Sequence, residues 1–392
     1  LSLQALPAGL TKIGDSAFYG CTSLTLQALP AGVTEIGNSA FRDCTSLTLQ
    51  ALPVGVTEIG GSVFSGCTSL SLQALPAGVT KIGNSAFYGC TGITLTSLPV
   101  GVTKIGIYAF YDCTSLTLQA LPDGVTKIGK RAFYGCTSLT LQALPDGVTQ
   151  IGYSAFSHCT SLSLQALPDS VTKIEGYAFY GCMGITLTSL PDGVTEIGPY
   201  AFYGCTNLTL QALPDGVTEI GSSAFSDCTS LSLQALPAGV TEIGGYAFSG
   251  CKNLALQSLP EDLTQIGVYA FSGCTGLSSI IMEPTTAPTI QSNTFANTSP
   301  DLTFYVPKNG TGYDTGNWAG LKTVEYTPTA LLTLNRNTMQ LELNKSEALI
   351  ATLLPADASY KEINWKSSDT GVAKVDGSGR VTAVSLGTAT IT

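Results

Sequence analysis

The residues with the most chemistry to offer are twelve cysteines, each 23 residues from the next: Cys21, Cys44, Cys67, Cys90, Cys113, Cys136, Cys159, Cys182, Cys205, Cys228, Cys251 and Cys274. A thiolate can attack, bind a metal or close a disulfide, but each use needs its own neighbourhood. Structural metal sites draw on Cys-x-x-Cys pairs, and the chain has none. Stacked neighbours about 5 Å apart permit a disulfide at the Cα level, yet parallel side chains aimed at one core do not reach the required dihedral. The spacing therefore predicts buried free thiols that behave as small hydrophobes. The single histidine, His158, adjoins Cys159, but adjacent side chains point to different sides, so the two do not form a nucleophile and base. Glycine occurs in Pro-x-Gly turns and Ile-Gly corners, with no phosphate-binding loop. The reading is of a non-enzyme with no metal and no cofactor.

Other residues capable of recognition also fall in columns on the same beat. Asp123, Asp146, Asp169, Asp192 and Asp215 occupy one turn position in five successive repeats. Stacked carboxylates suit Ca²⁺ or a basic partner, but Asp equally suits a Pro-Asp-Gly turn, and that plainer role is preferred. Lys81, Lys104, Lys127, Gln150, Lys173, Glu196, Glu219 and Glu242 form a column whose charge changes sign along the chain. It either orients a partner or keeps the surface soluble. Tyr108, Tyr177, Tyr200, Tyr246 and Tyr269 stand two before a repeated Phe, and Tyr19, Tyr88, Tyr111, Tyr134, Tyr180 and Tyr203 one after it. Tyr gives large contact area at low entropy cost, so these rings offer a protein- or glycan-binding surface, or else pack repeat on repeat. Gln27, Gln50, Gln73 and their equivalents form either an exposed row or an inward hydrogen-bonded ladder.

The elements that position these columns follow from the period. A fixed repeat of this length means a solenoid, because one coil cannot bury its apolar face alone and stacked coils can. Phe18 through Phe271 precede each Cys by three, and Ile13, Ile36, Ile59 and their equivalents form a further apolar column. Leu24 and Leu26 alternate as in a short strand. Pro30 and Gly32 mark a turn, and Asn38 to Phe41 read as one helical or 3₁₀ turn. Each coil is thus expected to run strand, turn, extended stretch, helical turn, with the strands in one parallel sheet.

Here the residues resemble a known family. Cys-x-x-Leu-x-Leu-x-x-Leu is close to the leucine-rich repeat strand motif, and Ile-Gly-x-x-Ala-Phe-x-x-Cys, as at Ile36 to Cys44, is similar to the BspA-like class of leucine-rich repeats. Family members place an apolar residue six after the Cys; this chain has Gln27 there and Leu26 one earlier, so two strand registers a residue apart are open. The regular solenoid is expected over 1–281. A degenerate repeat and cap, with Phe304, Tyr313 and Trp318, is expected over 282–326. From Thr327 the composition changes and short β segments follow: Leu331 to Asn335, Met339 to Leu343, Ala348 to Pro355, Ile363 to Asp369, Val372 to Asp376, Gly379 to Val384 and Ala389 to Thr392. The stretch from Trp365 to Ala383 resembles bacterial group-2 immunoglobulin-like domains, which implies an all-β sandwich over 327–392. Those domains carry one more strand, so truncation is expected there, as is a start in mid-repeat at Leu1.

Charged residues make up 11% of the 392 and the net charge is −10, which argues against nucleic acid and anionic membrane as partners. No run of 18 apolar residues spans a membrane. The fold expected is a repeat solenoid of short parallel strands and helical or 3₁₀ turns, with a C-terminal immunoglobulin-like sandwich. The family resemblance implies a monomeric, extracellular or cell-surface bacterial adhesin whose partner is a host or bacterial surface protein or glycan. The alternative is a structural spacer or the recognition arm of a larger surface enzyme.

Overall fold

The computed structural model describes residue 3 and residues 5–313, 317–318, 320–327, 331–334, 338–354 and 364–392. Its long first part is a stack of coils whose Ile, Val, Leu, Phe and Cys columns fill one continuous interior. The Phe side chains from Phe41 to Phe271 are fully buried. Their rings form a ladder: Phe18 lies 5.3 Å from Phe41, Phe133 lies 5.4 Å from Phe156, and Phe271 lies 5.2 Å from Phe295, each pair within 7° of parallel. Perpendicular rings close the end. Phe304 meets Phe295 at 68°, and Trp318 meets Phe304 at 90°, so ring edges cover the last open face. Tyr313 and Tyr326 donate their hydroxyls to the Pro284 and Met282 carbonyls at 2.9 and 3.1 Å, tying this segment to the coils beneath.

Parallel strands are present, but not where the Leu-x-Leu alternation placed them. The paired residues are two per coil, such as Glu58–Ile59, Lys81–Ile82, Lys104–Ile105 and Lys127–Ile128 in one sheet and Gln150–Ile151 to Thr289–Ile290 in another. Register is exact in the repeat, Ile on Ile. In most coils a glycine after the Ile lets the backbones approach. Gly83 donates to the Ile59 carbonyl at 2.8 Å, and a Cβ on Gly83 would stand 2.7 Å from the Gly60 carbonyl carbon. In the Leu segment Leu24 and Leu26 point inward, so the register with Leu at the fifth position holds and Gln27 is exposed. Two consecutive outward residues, Gln27 and Ala28, then break the two-residue alternation a strand needs. Where the double step falls earlier, at Ser278 and Ser279, Ile280 and Met282 are both buried and Ser279–Met282 becomes a strand beside Thr303–Pro307.

The expected helical turn is replaced by a ribbon of tight turns, and there is no helix among the described residues. Amides alternate in direction. Ser39, Phe41 and Asp43 donate to the next coil at Gly61, Val63 and Ser65, whereas Ala40, Arg42 and Cys44 donate three residues back. Ser39 and Asp43 are left-handed, with φ of 56° and 60°, which stops helical propagation. The same position before each Cys holds Gly, Asp or His158, residues that tolerate this backbone.

All twelve cysteines are free thiols; Cys21 is half-buried and the others are buried. Each buried Sγ donates to the Phe carbonyl of the preceding coil, from Cys44 to Phe18 at 2.9 Å through Cys274 to Phe248 at 3.0 Å. The thiol therefore fills space and also satisfies a carbonyl.

The C-terminal part is antiparallel: Leu331–Leu334 with Ala351–Leu354, and Arg380–Ala383 between Ser346–Ala348 and Ala373–Val375. Met339 to Leu343 is not a strand, and Ser367 and Ile391 form one isolated bridge where longer strands were expected. The predicted ends Asn335, Pro355 and Ile363 lie outside the described residues, as does Leu1.

Candidate aromatic interface

The turn ribbon places side chains by the same rule that buries Phe. Phe and the small apolar residue before it are buried, whereas the tyrosines one after Phe and two before it are exposed or half-buried and meet one another on the outside of the coils. Number the coils by their Phe, with Phe18 in the first. In the row one after Phe, Tyr88, Tyr111 and Tyr134 of coils four to six stack at 4.6 Å per step, within 4° of parallel. Tyr180 and Tyr203 of coils eight and nine stack at 4.7 Å. Coil seven has Ser157 here, buried, and the neighbouring His158 supplies the missing ring. His158 lies 5.4 Å from Tyr134 and 5.0 Å from Tyr180, edge to face with both.

The row two before Phe repeats this compensation. Tyr108 occupies coil five, Arg131 coil six, and Tyr177 and Tyr200 coils eight and nine, stacked at 4.6 Å. Coil seven has buried Ser154, and Tyr153 beside it fills the gap, 5.5 Å from Tyr177. The two rows touch, with Tyr108 5.8 Å from Tyr111 and Tyr177 5.7 Å from Tyr180. The result is a continuous pavement across six coils, two rows wide from coil five to coil nine. Its rings are partly exposed, Tyr88 at 39%. The two roles open for tyrosine in the sequence are thus both filled: the rings pack coil on coil and still face solvent.

Cations sit in its middle. Arg131 donates from Nη1 to the Tyr108 hydroxyl at 3.3 Å, and its guanidinium lies 5.8 Å from the Tyr108 ring and 5.6 Å from that of Tyr153. The Lys130 ammonium is 4.6 Å from the Tyr153 ring. Burial pushes the Asp112 carboxyl up from its ordinary value, while His158 pulls it down. The Tyr111 and Tyr177 hydroxyls are raised, chiefly by burial. Glu175 breaks the glycine column and accepts from the Tyr153 amide at 2.6 Å and from the Gln150 side chain.

Of the residues singled out from sequence, Tyr108, Tyr111, Tyr177, Tyr180, Tyr200 and Tyr203 come together here. Tyr246 and Tyr269 form a separate pair 5.0 Å apart. Asp123, Asp146, Asp169, Asp192 and Asp215 are exposed, and among the described residues no hydrogen bond, ion pair or ring contact joins them to the tyrosines. Sequence reasoning missed Lys130, Arg131 and Tyr153 and considered His158 only as a partner for Cys159. The available signal was each coil's deviation from the repeat, above all the paired replacement at coil seven. The charge column is in register along the ladder, with Lys81, Lys104 and Lys127 stacked together and Glu219 beside Glu242. Lys12, Lys81 and Lys173 pair with Glu35, Glu58 and Glu196 of adjacent coils at 2.7, 3.4 and 2.8 Å. Among the described residues no helix is long and apolar enough to cross a membrane.

Comparison with known proteins gives two family matches. The BspA type leucine rich repeat region matches residues 2–117, 80–209 and 195–316, and the bacterial Ig-like domain (group 2) matches 328–392. An uncharacterized protein of Clostridium acetobutylicum is 44% identical over 61 residues, 16% of this chain and 6% of the relative. An alpha-L-arabinofuranosidase of Bifidobacterium longum is 50% identical over 56 residues, 14% of this chain and 5% of the relative. The chain thus spans a small part of the length of these curated relatives. A leucine rich cell surface protein of Faecalibacterium prausnitzii is 30% identical, covering 71% of this chain and 86% of that one with a TM-score of 0.49. A leucine-rich repeat protein of Bacteroides ovatus is 28% identical, covering 78% and 92%, with a TM-score of 0.48.

Proposed function

The chain belongs to the BspA-type leucine-rich repeat family, joined to a group 2 bacterial Ig-like domain, and from that premise we propose that it is a non-enzymatic, monomeric binding protein of the bacterial surface or exterior. The observation that carries this is the two-row pavement of Tyr88, Tyr108, Tyr111, Tyr134, Tyr180 and Tyr203 with His158 and Arg131. A solenoid needs its Phe and Cys columns to stack; it does not need rings outside, since Ser stands there in other coils. The pavement is a preordered surface fit for a protein or glycan, and ordering the rings beforehand removes an entropic cost of binding. The Asp column serves its turns, and the Ig-like module serves as spacer.

The test is a glycan and matrix-protein array probed with the 392-residue chain and with a Tyr111→Ala/Tyr180→Ala variant. Binding that weakens at least tenfold in the variant supports the reading; equal binding by both, or none by either, sinks it. A second reading, the recognition arm of a larger surface enzyme, is supported by the match to part of an arabinofuranosidase. A hydrolase domain in the same reading frame would decide for it.

A further inference from the structure

The middle of the pavement carries charge opposite in sign to the chain's net charge. The chain carries a net charge of −10, so its general field repels anions. Yet Lys130 and Arg131 meet in the middle of the pavement, and among the described residues neither has a carboxylate within ion-pair distance. The Arg131 guanidinium rests between two rings and keeps one bond, to the Tyr108 hydroxyl, while its buried Nε is without a partner. A guanidinium presents donors in a planar fork suited to a carboxylate or sulfate. Of the acidic neighbours, Glu175 accepts from Gln150 and the Tyr153 amide, and among the described residues Asp112 forms no ion pair with Arg131 or Lys130.

Ring orientation adds to this. Tyr111 has Tyr88 on one face and Tyr134 on the other, each 4.6 Å away and within 4° of parallel. Both faces are closed, so a ligand meets the rim and hydroxyl. The face of an aromatic ring is its negative part and the edge its positive part. A row of closed faces is therefore a poor platform for stacking a neutral sugar and a good one for oxygen-rich, negatively charged groups. The rows repeat once per coil, a step close to one pyranose unit of an extended polysaccharide, whereas residues on one face of a peptide strand recur at a longer interval.

We infer that the pavement binds a linear acidic polysaccharide running along the stack, with an anionic group of the sugar held by Arg131 and Lys130. This rests on the pavement being a binding surface and names the ligand class it takes.

The experiment uses the full chain and two matched polymer pairs: polygalacturonate against its methyl ester, for carboxylate, and dextran sulfate against dextran, for sulfate. Binding is read by biolayer interferometry at two salt concentrations. At least one acidic polymer should bind tenfold or more tighter than its neutral partner, and more weakly at higher salt. Arg131→Gln should remove most of that preference, and Lys130→Gln, at an exposed position, part of it, with thermal unfolding of Lys130→Gln unchanged. Neutral and acidic polymers binding equally, with loss in Tyr111→Ala/Tyr180→Ala, would overturn the anion assignment and leave the binding surface standing. An acidic preference indifferent to both substitutions, or no polymer binding at all, also overturns it.

Discussion

Phe133 and Tyr134 are neighbours in sequence and members of two different stacks. Phe133 lies 5.4 Å from Phe110 and from Phe156, each within 4° of parallel, and is fully buried. Tyr134 lies 4.6 Å from Tyr111 at 4° and meets His158 at 75°, partly exposed. The geometry is nearly the same, but the inner stack recurs in every coil and the outer one stops and starts. Repetition inside is a condition of folding, since an unfilled coil leaves a cavity shared with both neighbours. Repetition outside is optional, so a run of it is information about what the surface meets. Three measurements press on this contrast.

The largest effect comes from alkali, which acts most strongly on the buried thiols of the inner columns. Burial pushes the Cys44 thiol to about 11 and that of Cys274 to about 12, against an ordinary 9.0, and holds Cys90, Cys136 and Cys182 higher. A raised folded value means the stabilisation is whole below the unfolded thiol's value and is lost as pH climbs through the folded one. Each buried thiol withdraws about 1.4 kcal/mol per pH unit above about 9. Eleven buried thiols acting together exceed the ~5–15 kcal/mol that holds an ordinary domain folded. The solenoid should therefore unfold between pH 9 and 11 in far-UV circular dichroism, with thiol reactivity appearing in the same transition. Reactivity spread evenly from pH 8, without unfolding, would place the comb at the surface and erase the contrast.

Next in size is the adjacent pair. Phe133→Ala should destabilise by about 3–5 kcal/mol, the range for a large buried aromatic. Tyr134→Ala should cost about 1 kcal/mol, since a half-exposed ring loses little more than its stacking, but should weaken ligand binding at least tenfold. Urea melts of the two variants compare the costs. Equal losses of stability would mean that the outer stack is as structural as the inner.

The period, the Phe, Cys and Ile columns and the buried thiols were legible in the sequence because burial repeats the same residue types at the same spacing. Strand placement was not. Leu24 and Leu26 alternate as strand residues do, but the outward pair Gln27-Ala28 prevents regular pairing there, and pairing falls instead at the Ile column, in most coils beside a glycine that allows close backbone approach. The helical turn failed for a related reason. Asn38 to Phe41 have helix-start composition, but left-handed Ser39 turns its amide toward the next coil, a partner that no local rule includes. The tyrosines were visible as columns, whereas the joining of both rows through Tyr153, His158 and Arg131 depends on residues off the repeat.

The smallest effect concerns the ladder side, where Ile105 is buried and Lys104 beside it is exposed. Lys104 stands in register between Lys81 and Lys127, and among the described residues it has no ion-pair partner. Like charges directly opposite on neighbouring strands are destabilising by a few tenths to 1 kcal/mol. Lys104→Glu exchanges two repulsions for two attractions and should stabilise by about 1 kcal/mol at low salt, with the gain fading toward 1 M salt as screening shortens to about 3 Å. A stabilised variant would show that the inner column sets the fold while the outer charge is carried against stability, as expected of residues kept for a partner or for solubility. A destabilised one would show that the Lys column holds the ladder together, and the division between obligatory interior and optional exterior would then be confined to the aromatic side.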